Sequence, residues 1–177
     1  MTWTTAQAVD LATTWHNLEP KFDPGSKQPY ITHPIRVMEA VKAAGYDERY
    51  QRVAVLHDAI EDTDLTAEDL RKADASEEEI AAILSVTKTD GEVSYPWRVV
   101  KAAQNEIGGV VKGFDMLDNS NLERMRLLTQ TEPEKAARLA PKYAIGLVVL
   151  DLLRPGGRQQ AGPQGHSTRK PATGGAS

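Results

Sequence analysis

Four side chains able to perform hydrolytic chemistry lie within one short stretch, Leu56-His57-Asp58-Ala59-Ile60-Glu61-Asp62-Thr63. His57 and Asp58 are neighbours about 100° apart around a helix axis, so both can reach an ion that sits between them. Glu61 and Asp62 follow one turn later, where acids could orient or deprotonate a metal-bound water. Alternatively, these acids simply face water. Because carboxylates are mildly unfavourable at a helix C-terminus, their presence there favours another role.

Two other places in the chain could complete such a site. His33 comes just before a predicted helix, on a backbone restricted by Pro34. Asp115 and Asn119 would share one helical face, with Asp118 between them. The alternatives are a turn histidine that caps its helix and a solvated acidic helix end, and the spacing leaves open whether Asp115 or Asp118 faces an ion. Two histidines and two aspartates would form a nitrogen and oxygen ligand set that suits Mn, Fe or Zn and leaves room for water.

The composition limits the kinds of protein that could carry this site. The 177 residues are enough for one domain with a substantial core. Because the chain has no cysteine, disulfides and thiolate ligands are excluded. A net charge of −4 argues against general nucleic-acid binding. We find no secretory signal at residues 1–10 and no apolar run near the roughly 20 residues that span a bilayer, so we expect a cytoplasmic protein without membrane attachment.

Helical periodicity dominates the chain and predicts the elements that must position these residues. Few segments alternate as strands do, so the sequence predicts an all-α fold, a compact helical bundle. Residues 17–29 contain three prolines and a glycine and are predicted to form a loop. The predicted helices cover residues 5–15, 34–44, 47–61, a short segment from Thr66, 76–86, 95–104, 109–118 and about 133–153.

The C-terminal segment, residues 154–177, differs from the rest of the chain. It is rich in Gly, Pro, Gln, Ser and Thr and nearly lacks large apolar residues. Because it cannot bury enough apolar surface to offset its ordering entropy, we expect a disordered tail after one ordered domain at residues 1–153. Its basic residues could contact an anionic partner, although a solvated appendage is the simpler interpretation.

These motifs, in this order, resemble the HD-domain superfamily. Within it they are similar to the hydrolase domain of RelA/SpoT-type enzymes and their small stand-alone relatives, which act on the alarmone (p)ppGpp. The resemblance spans about residues 8–150 and implies an HD-type helical bundle that works as a stand-alone hydrolase. It rests on the following stretches: Pro29-Tyr30-Ile31-Thr32-His33-Pro34, Leu56 to Thr63, Val86-Thr87-Lys88, Val111-Lys112, and Asp115 with Asn119.

The resemblance also implies a ligand set and a reaction. The metal, which is typically manganese in that family, would be held here by His33, His57, Asp58 and Asp115. The implied reaction removes pyrophosphate from the ribose 3′ position of a small guanosine nucleotide. It fits the residues, because a divalent ion lowers the pKa of its bound water from about 15.7 toward about 7.

Further residues match family positions that handle water and substrate. Glu61 and Asp62 match the acidic pair that positions or activates the attacking water, and the sequence does not divide the two roles. Asn119 matches an asparagine near the substrate sugar and the metal. Three lysines could also hold phosphates, although each could equally be a surface charge: Lys21, Lys88 and Lys112.

The chain differs from the family in two stretches whose family counterparts bind the nucleotide. The first loop of the family usually offers a glutamine and a pair of basic residues, but in the matching stretch here, residues 16–23, Glu19 replaces the glutamine and only Lys21 is basic. A lysine cannot fork or stack as arginine does. In the later motif, usually Lys-Leu-Ala-Asp-Arg, Gly113 and Met116 replace the leucine and arginine, and Asp118 is an additional acid.

Two alternatives to (p)ppGpp hydrolysis therefore stay open. One is an HD-type phosphohydrolase that acts on another nucleotide or phosphate ester. The other is a non-catalytic nucleotide-sensing module that keeps the fold, since a fold alone does not determine function. The retained ligand and acid residues argue against the second.

Overall fold

Capping side chains determine where several helices begin. The structure is a computed structural model that describes residues 3–18, 20–24, 26, 28–89, 91 and 94–153. Thr66 with Asp69, and Ser76 with Glu79, form two complete capping boxes, in which each side chain bonds the other residue's backbone N–H. Asn105 caps a further helix by accepting from the N–H of Gly108. The two capping boxes agree with the helix starts predicted at Thr66 and Ser76, whereas the helix capped by Asn105 begins at Glu106, three residues before its predicted start at 109.

Ten helices follow one another in the described part of the chain, and the predicted all-α class is confirmed. The strand-like pairing there is limited to an isolated antiparallel bridge between Phe22 and Pro29. None of the described helices is both long and apolar enough to cross a membrane. The helices are α1 (Thr5–Leu18), α2 (Thr32–Ala43), α3 (Glu48–Leu56), α4 (Ala59–Asp62), α5 (Ala67–Lys72), α6 (Glu77–Val86), α7 (Tyr95–Ala103), α8 (Glu106–Asn119), α9 (Leu122–Thr131) and α10 (Pro133–Leu153).

Helix α3 forms the centre of the larger hydrophobic core. It packs against α1, α2, α6 and α8. Its last four residues are buried on all sides, which is typical of a helix with apolar residues around its whole circumference: Val53, Ala54, Val55 and Leu56. The helix therefore ends inside the molecule, and the residues that follow it enter a buried environment.

A smaller core forms where α10 crosses α7 and α8. Val99, Met116 and Leu150 are its buried members. Gly146 lies at the closest approach, because an added Cβ there would be 2.5 Å from Met116 Sδ and 2.9 Å from Tyr95 Cε1. The missing side chain lets α10 lie directly against both helices, and this position determines where Tyr95 and its neighbours stand.

The structure corrects two helix predictions. The helix predicted over residues 47–61 is divided into α3 and α4, with His57 and Asp58 in the turn between them. Residues 122–131, for which no helix was predicted, form α9, whose start Asn121 caps by accepting from two backbone N–H groups. The predicted disordered tail, residues 154–177, lies outside the described residues, and the domain boundary at residue 153 stays a prediction.

We expect Gly146→Ala to destabilise the chain. Alanine gains about 1 kcal/mol of helix propensity, whereas overpacking a filled site costs about 1–3 kcal/mol. The midpoint of urea-induced unfolding should fall, while Ala144→Ser, at an exposed position of the same helix, should change it little. A midpoint equal to or above that of the parent chain would show that α10 does not pack this closely.

Candidate metal centre and active site

Three separate segments bring the four predicted ligands together. His33 lies in the first turn of α2, His57 and Asp58 in the turn after α3, and Asp115 in α8. Potential ligand atoms of His33, His57 and Asp58 all lie within 4.8 Å of one another. Asp115 Oδ1 lies 3.3 Å from the Nε2 of His33 and 3.7 Å from that of His57. The predicted ligands therefore surround one point in the interior.

The two histidine rings direct their Nε2 atoms at that point. The Nε2 atoms of His33 and His57 are buried and have no hydrogen-bond partner. Their Nδ1 atoms are engaged instead, His57 with the carbonyl of Ala54 at 2.7 Å and His33 with Asp118 Oδ2 at 2.8 Å. A neutral imidazole whose Nδ1 donates has its acceptor lone pair on Nε2, which is the tautomer that ligates a metal. This orphaned nitrogen pair beside two carboxylates fits a divalent ion.

The His57 side chain also accounts for the break between α3 and α4. In a continuous helix the carbonyl of Ala54 would accept from the N–H of Asp58. Here it accepts from His57 Nδ1, so the side chain competes with the backbone for the same acceptor. The turn that results directs both His57 and Asp58 toward the same point, with their Nε2 and Oδ2 atoms 3.1 Å apart.

Asp118 supports a ligand from behind. Its carboxylate forms a hydrogen bond with His33 Nδ1 and also accepts hydrogen bonds from two arginines, Arg36 at 2.9 Å and Arg124 at 2.7 Å. The same arginines reach the buried Asp23, at 2.9 Å and 2.6 Å. The arrangement is the carboxylate–histidine pair that orients metal-binding rings. Asp115, and not Asp118, faces the common point.

Polar side chains also hold the two ligand carboxylates in place. Tyr30 donates its hydroxyl hydrogen to Asp58 Oδ2 at 2.5 Å. Lys112 Nζ binds Asp115 Oδ2 at 2.6 Å, and the amide of Asn119 donates to Asp115 Oδ1. Such contacts restrict the carboxylates to orientations in which their remaining lone pairs face the histidines.

The pKa values show how strongly these charges interact. Burial lowers the pKa of His33 and of His57, because it disfavours a charged ring. The neighbouring carboxylates outweigh this, so the pKa of His33 lies above the ordinary 6.5 and that of His57 well above it. Burial raises the pKa of Asp58 and Asp115, yet the adjacent cationic groups hold both below their usual range. The group of ligands therefore attracts positive charge, as protons or as a metal ion.

Glu61 and Asp62 are held at the edge of the site by other segments. Glu61 Oε2 accepts the backbone N–H of Lys88 at 3.0 Å, and its Oε1 lies 3.8 Å from Arg98. Asp62 Oδ1 pairs with Lys21 Nζ at 3.0 Å, and the same ammonium group donates to the Asp62 carbonyl at 2.8 Å. The side chains of Glu61 and Asp62 keep 33% and 25% of their exposure, so both can reach solvent water.

Each residue predicted to contact substrate binds an acidic residue of the site. Three of them, at positions 21, 112 and 119, bind a carboxylate of the site directly, whereas the fourth contributes its backbone N–H. Their contact with substrate stays a prediction. The four are Lys21, Lys88, Lys112 and Asn119. Glu19, the altered loop residue, lies outside the described residues.

Sequence reasoning gave no role to three residues that the structure places at the site. Tyr30 and Arg36 are each three residues from His33, a spacing that can put side chains next to each other in a turn or a helix. That spacing could have identified them. Arg124 lies 91 residues from His33, so only the packing of α9 against the bundle brings it there.

Known proteins resemble this chain in sequence and in fold. A family model described as HD domain matches residues 8–142. A solved structure described as "A metazoan ortholog of SpoT hydrolyzes ppGpp and plays a role in starvation responses" superposes with a TM-score of 0.64 at 23% identity. The match covers 86% of this chain and 94% of that one, which shows a shared fold.

Curated relatives match over shorter parts of their own length. A GTP pyrophosphokinase of Streptomyces coelicolor is 33% identical over 140 residues, 75% of this chain and 16% of the relative. The probable guanosine-3′,5′-bis(diphosphate) 3′-pyrophosphohydrolase of Synechocystis sp. is 34% identical over 125 residues, 65% and 16% of the two chains. The enzyme of Haemophilus influenzae described by the same activity is 32% identical over 124 residues, 65% and 18%. The chain thus spans about a sixth of the length of these relatives.

Metal affinity should fall with decreasing pH. A protonated imidazole has no lone pair for a metal, and the raised pKa values of His33 and His57 keep both rings protonated to a higher pH than usual. The dissociation constant for Mn²⁺, measured by calorimetry, should therefore rise between about pH 8 and about pH 6, beginning above 6.5. An affinity that is constant over this range would contradict histidine ligation.

Asp118→Asn should weaken metal binding without removing a ligand. The amide loses the charge that pairs with Arg36 and Arg124 and holds His33. Loss of such a supporting group lowers metal affinity by about 10–100-fold. Asp151→Asn, at an exposed acid of α10, is the matched control. If both variants bind Mn²⁺ as the parent does, Asp118 does not orient the site.

Proposed function

Because this chain belongs to the HD domain family, we propose that it is a metal-dependent phosphohydrolase whose substrate is guanosine-3′,5′-bis(diphosphate), (p)ppGpp. One observation carries the chemistry: two buried, unpartnered Nε2 atoms, of His33 and His57, meet two carboxylates at one point. The substrate is supported by two relatives described as 3′-pyrophosphohydrolases of this nucleotide and by the motifs of the sequence.

The ligand set supports a divalent cation as cofactor, and we propose Mn²⁺. The donors are two imidazole nitrogens and two carboxylate oxygens, a set that suits manganese and similar ions and leaves positions for water. When bound, such an ion lowers the pKa of coordinated water toward about 7 and offsets charge on phosphoryl oxygens. The residues that would hold it are His33, His57, Asp58 and Asp115.

Glu61 and Asp62 supply the proton chemistry in this proposal. One of them accepts a proton from the attacking water while the other orients it, and both side chains reach solvent beside the ligand group. The water oxygen bonds to the phosphorus atom attached to the ribose 3′ oxygen, and the bond between that phosphorus and the ribose oxygen breaks. The ribose oxygen takes up a proton, which leaves a 3′-hydroxyl nucleotide and free pyrophosphate.

The net charge of the chain bears on which partner it binds. The net charge of −4 favours a small nucleotide over a nucleic acid as partner, because nucleic-acid binding relies on a basic surface. A site-bound cation can still make one pocket attractive to an anion. We propose a cytoplasmic location, where such nucleotides are available.

One observation favours a second candidate, hydrolysis of another nucleotide or phosphate ester. Lys21 is the basic residue left in the loop that resembles the nucleotide-gripping loop of the family. In the structure it donates to both the side chain and the carbonyl of Asp62. Its charge is thereby directed at an acid of the site, so the grip on a guanosine base would differ from that of the family.

Full-length protein with Mn²⁺ should release pyrophosphate from ppGpp, detected by chromatography of the products. Of Glu61→Gln and Asp62→Asn, the variant that removes the proton acceptor should lower kcat by about 10²–10⁴-fold with its metal content unchanged, because an amide cannot accept a proton. His57→Ala should lose both metal and activity. Glu134→Gln, an exposed acid of α10, is the control and should behave as the parent chain.

The outcomes separate the alternatives. Turnover of another nucleotide in a panel, with none of ppGpp, would reject the proposed substrate and retain the reaction class. Full activity in His57→Ala would reject the metal-dependent mechanism. A chain that binds nucleotide but turns over no member of the panel would be the sensing module.

A further inference from the structure

Three cationic side chains surround the ring of Tyr95, the first residue of α7. Lys142 Nζ lies 4.4 Å from the centre of the ring, Arg98 Cζ 5.2 Å and Lys112 Nζ 5.8 Å. They come from three helices, α10, α7 and α8, that meet in the smaller core. Lys142 also lies 5.1 Å from the ring of Tyr143. We call these residues the Tyr95 cluster.

The cluster borders the metal centre on two sides. Lys112 binds the ligand Asp115 at 2.6 Å, and Arg98 lies 3.8 Å from Glu61, one of the two acids proposed to act on water. An anion held between these cations would therefore lie next to both the ligand group and the acids.

Lys142 is the cation whose charge the described part of the chain does not balance. It contacts the aromatic rings of Tyr95 and Tyr143, and no carboxylate in the described part of the chain forms an ion pair with it. Burial lowers the pKa of Lys142 and the positive charges of Arg98 and Lys112 lower it further, whereas the negative charges of Asp115 and Glu61 offset this only in part. A half-buried cation beside two like charges is unfavourable unless an anion joins it.

A polar atom of the Tyr95 cluster also lacks a hydrogen-bond partner. The hydroxyl oxygen of Tyr95 is buried and has no hydrogen-bond partner, although buried hydroxyl groups are nearly always hydrogen-bonded. Pro141, one residue before Lys142, interrupts the hydrogen bonding of α10 at this point. The ring that Lys142 contacts therefore carries an unsatisfied hydroxyl, and an anion with several acceptor oxygens could satisfy both this donor and the ammonium group.

We propose that Arg98, Lys112 and Lys142 bind the diphosphate group of the substrate beside the metal centre, and that Lys142 selects a diphosphate over a monophosphate. The identity of the complete substrate rests on the function proposed above. The diphosphate class follows from the cluster itself. Lys112 and Arg98 face the acids Asp115 and Glu61, so they can hold a phosphate group next to the ligand group, and Lys142 adds a third cation for a second phosphate group. Phosphate oxygens accept the strong, charge-assisted hydrogen bonds that lysine and arginine donate.

The test uses inorganic pyrophosphate and orthophosphate as probes for the Mn²⁺-loaded full chain, with binding measured by calorimetry. Pyrophosphate should bind more tightly than orthophosphate. Lys142→Met keeps most of the apolar stem and should weaken pyrophosphate binding by about 10–100-fold, the loss expected for one charge-assisted hydrogen bond. Orthophosphate binding should change much less.

Matched variants control for charge and folding. Lys135 is a partly exposed lysine of the same helix and pairs with Glu132. The variant Lys135→Met should bind pyrophosphate as the parent chain does. Lys142→Arg keeps the charge and should recover part of the affinity. Lys142→Gln gives a second neutral variant in case methionine perturbs the packing against Tyr95, which the unfolding midpoint reports.

Each outcome bears on one of the two proposals. Unchanged pyrophosphate binding in both neutral variants would overturn the cluster, and so would an equal loss for pyrophosphate and orthophosphate. If the parent chain does not hydrolyse ppGpp but still binds pyrophosphate in a Lys142-dependent manner, the cluster stands and the proposed substrate falls. With both correct, Lys142→Met also raises the KM for ppGpp while its metal content stays unchanged.

Discussion

The site depends on two hydrogen bonds that leave two histidine lone pairs facing the same point. A neutral imidazole has one donor and one acceptor nitrogen, so the partner at Nδ1 decides what Nε2 can do. At His57 that partner is the carbonyl of Ala54, and at His33 it is the carboxylate of Asp118. Both rings lie at helix ends: α3 ends just before His57, and α2 begins one residue before His33.

The hydrogen bond between His33 and Asp118 explains the charges behind the site. Arg36 and Arg124 neutralise the negative charge of Asp118, and both also pair with Asp23. These ion pairs join α2, α8 and α9 in one charged network. Buried ion pairs seldom add net stability, but removal of one partner is costly, because it leaves an uncompensated charge. The network therefore serves mainly to keep the ring of His33 in its orientation.

Much of this could be predicted from the sequence where the signal is local. The capping boxes at Thr66 and Ser76 and the apolar periodicity located many of the helices, and the resemblance of the motifs to a known family implied the four residues that the structure brings together. The break after α3 could not be predicted, because it comes from the side chain of His57 competing for a backbone acceptor. Arg124 could not be predicted either, since contact with His33 depends on how α9 packs.

A crystal structure of the protein grown with Mn²⁺ would show whether His33, His57, Asp58 and Asp115 hold a divalent cation. Anomalous scattering should show one manganese ion, with the two Nε2 atoms and one oxygen of each aspartate within about 2.0–2.3 Å. Asp118 should stay on His33 Nδ1, behind the ring. An ion bound elsewhere, an ion that uses Asp118 in place of Asp115, or no ion at saturating Mn²⁺ would contradict the account.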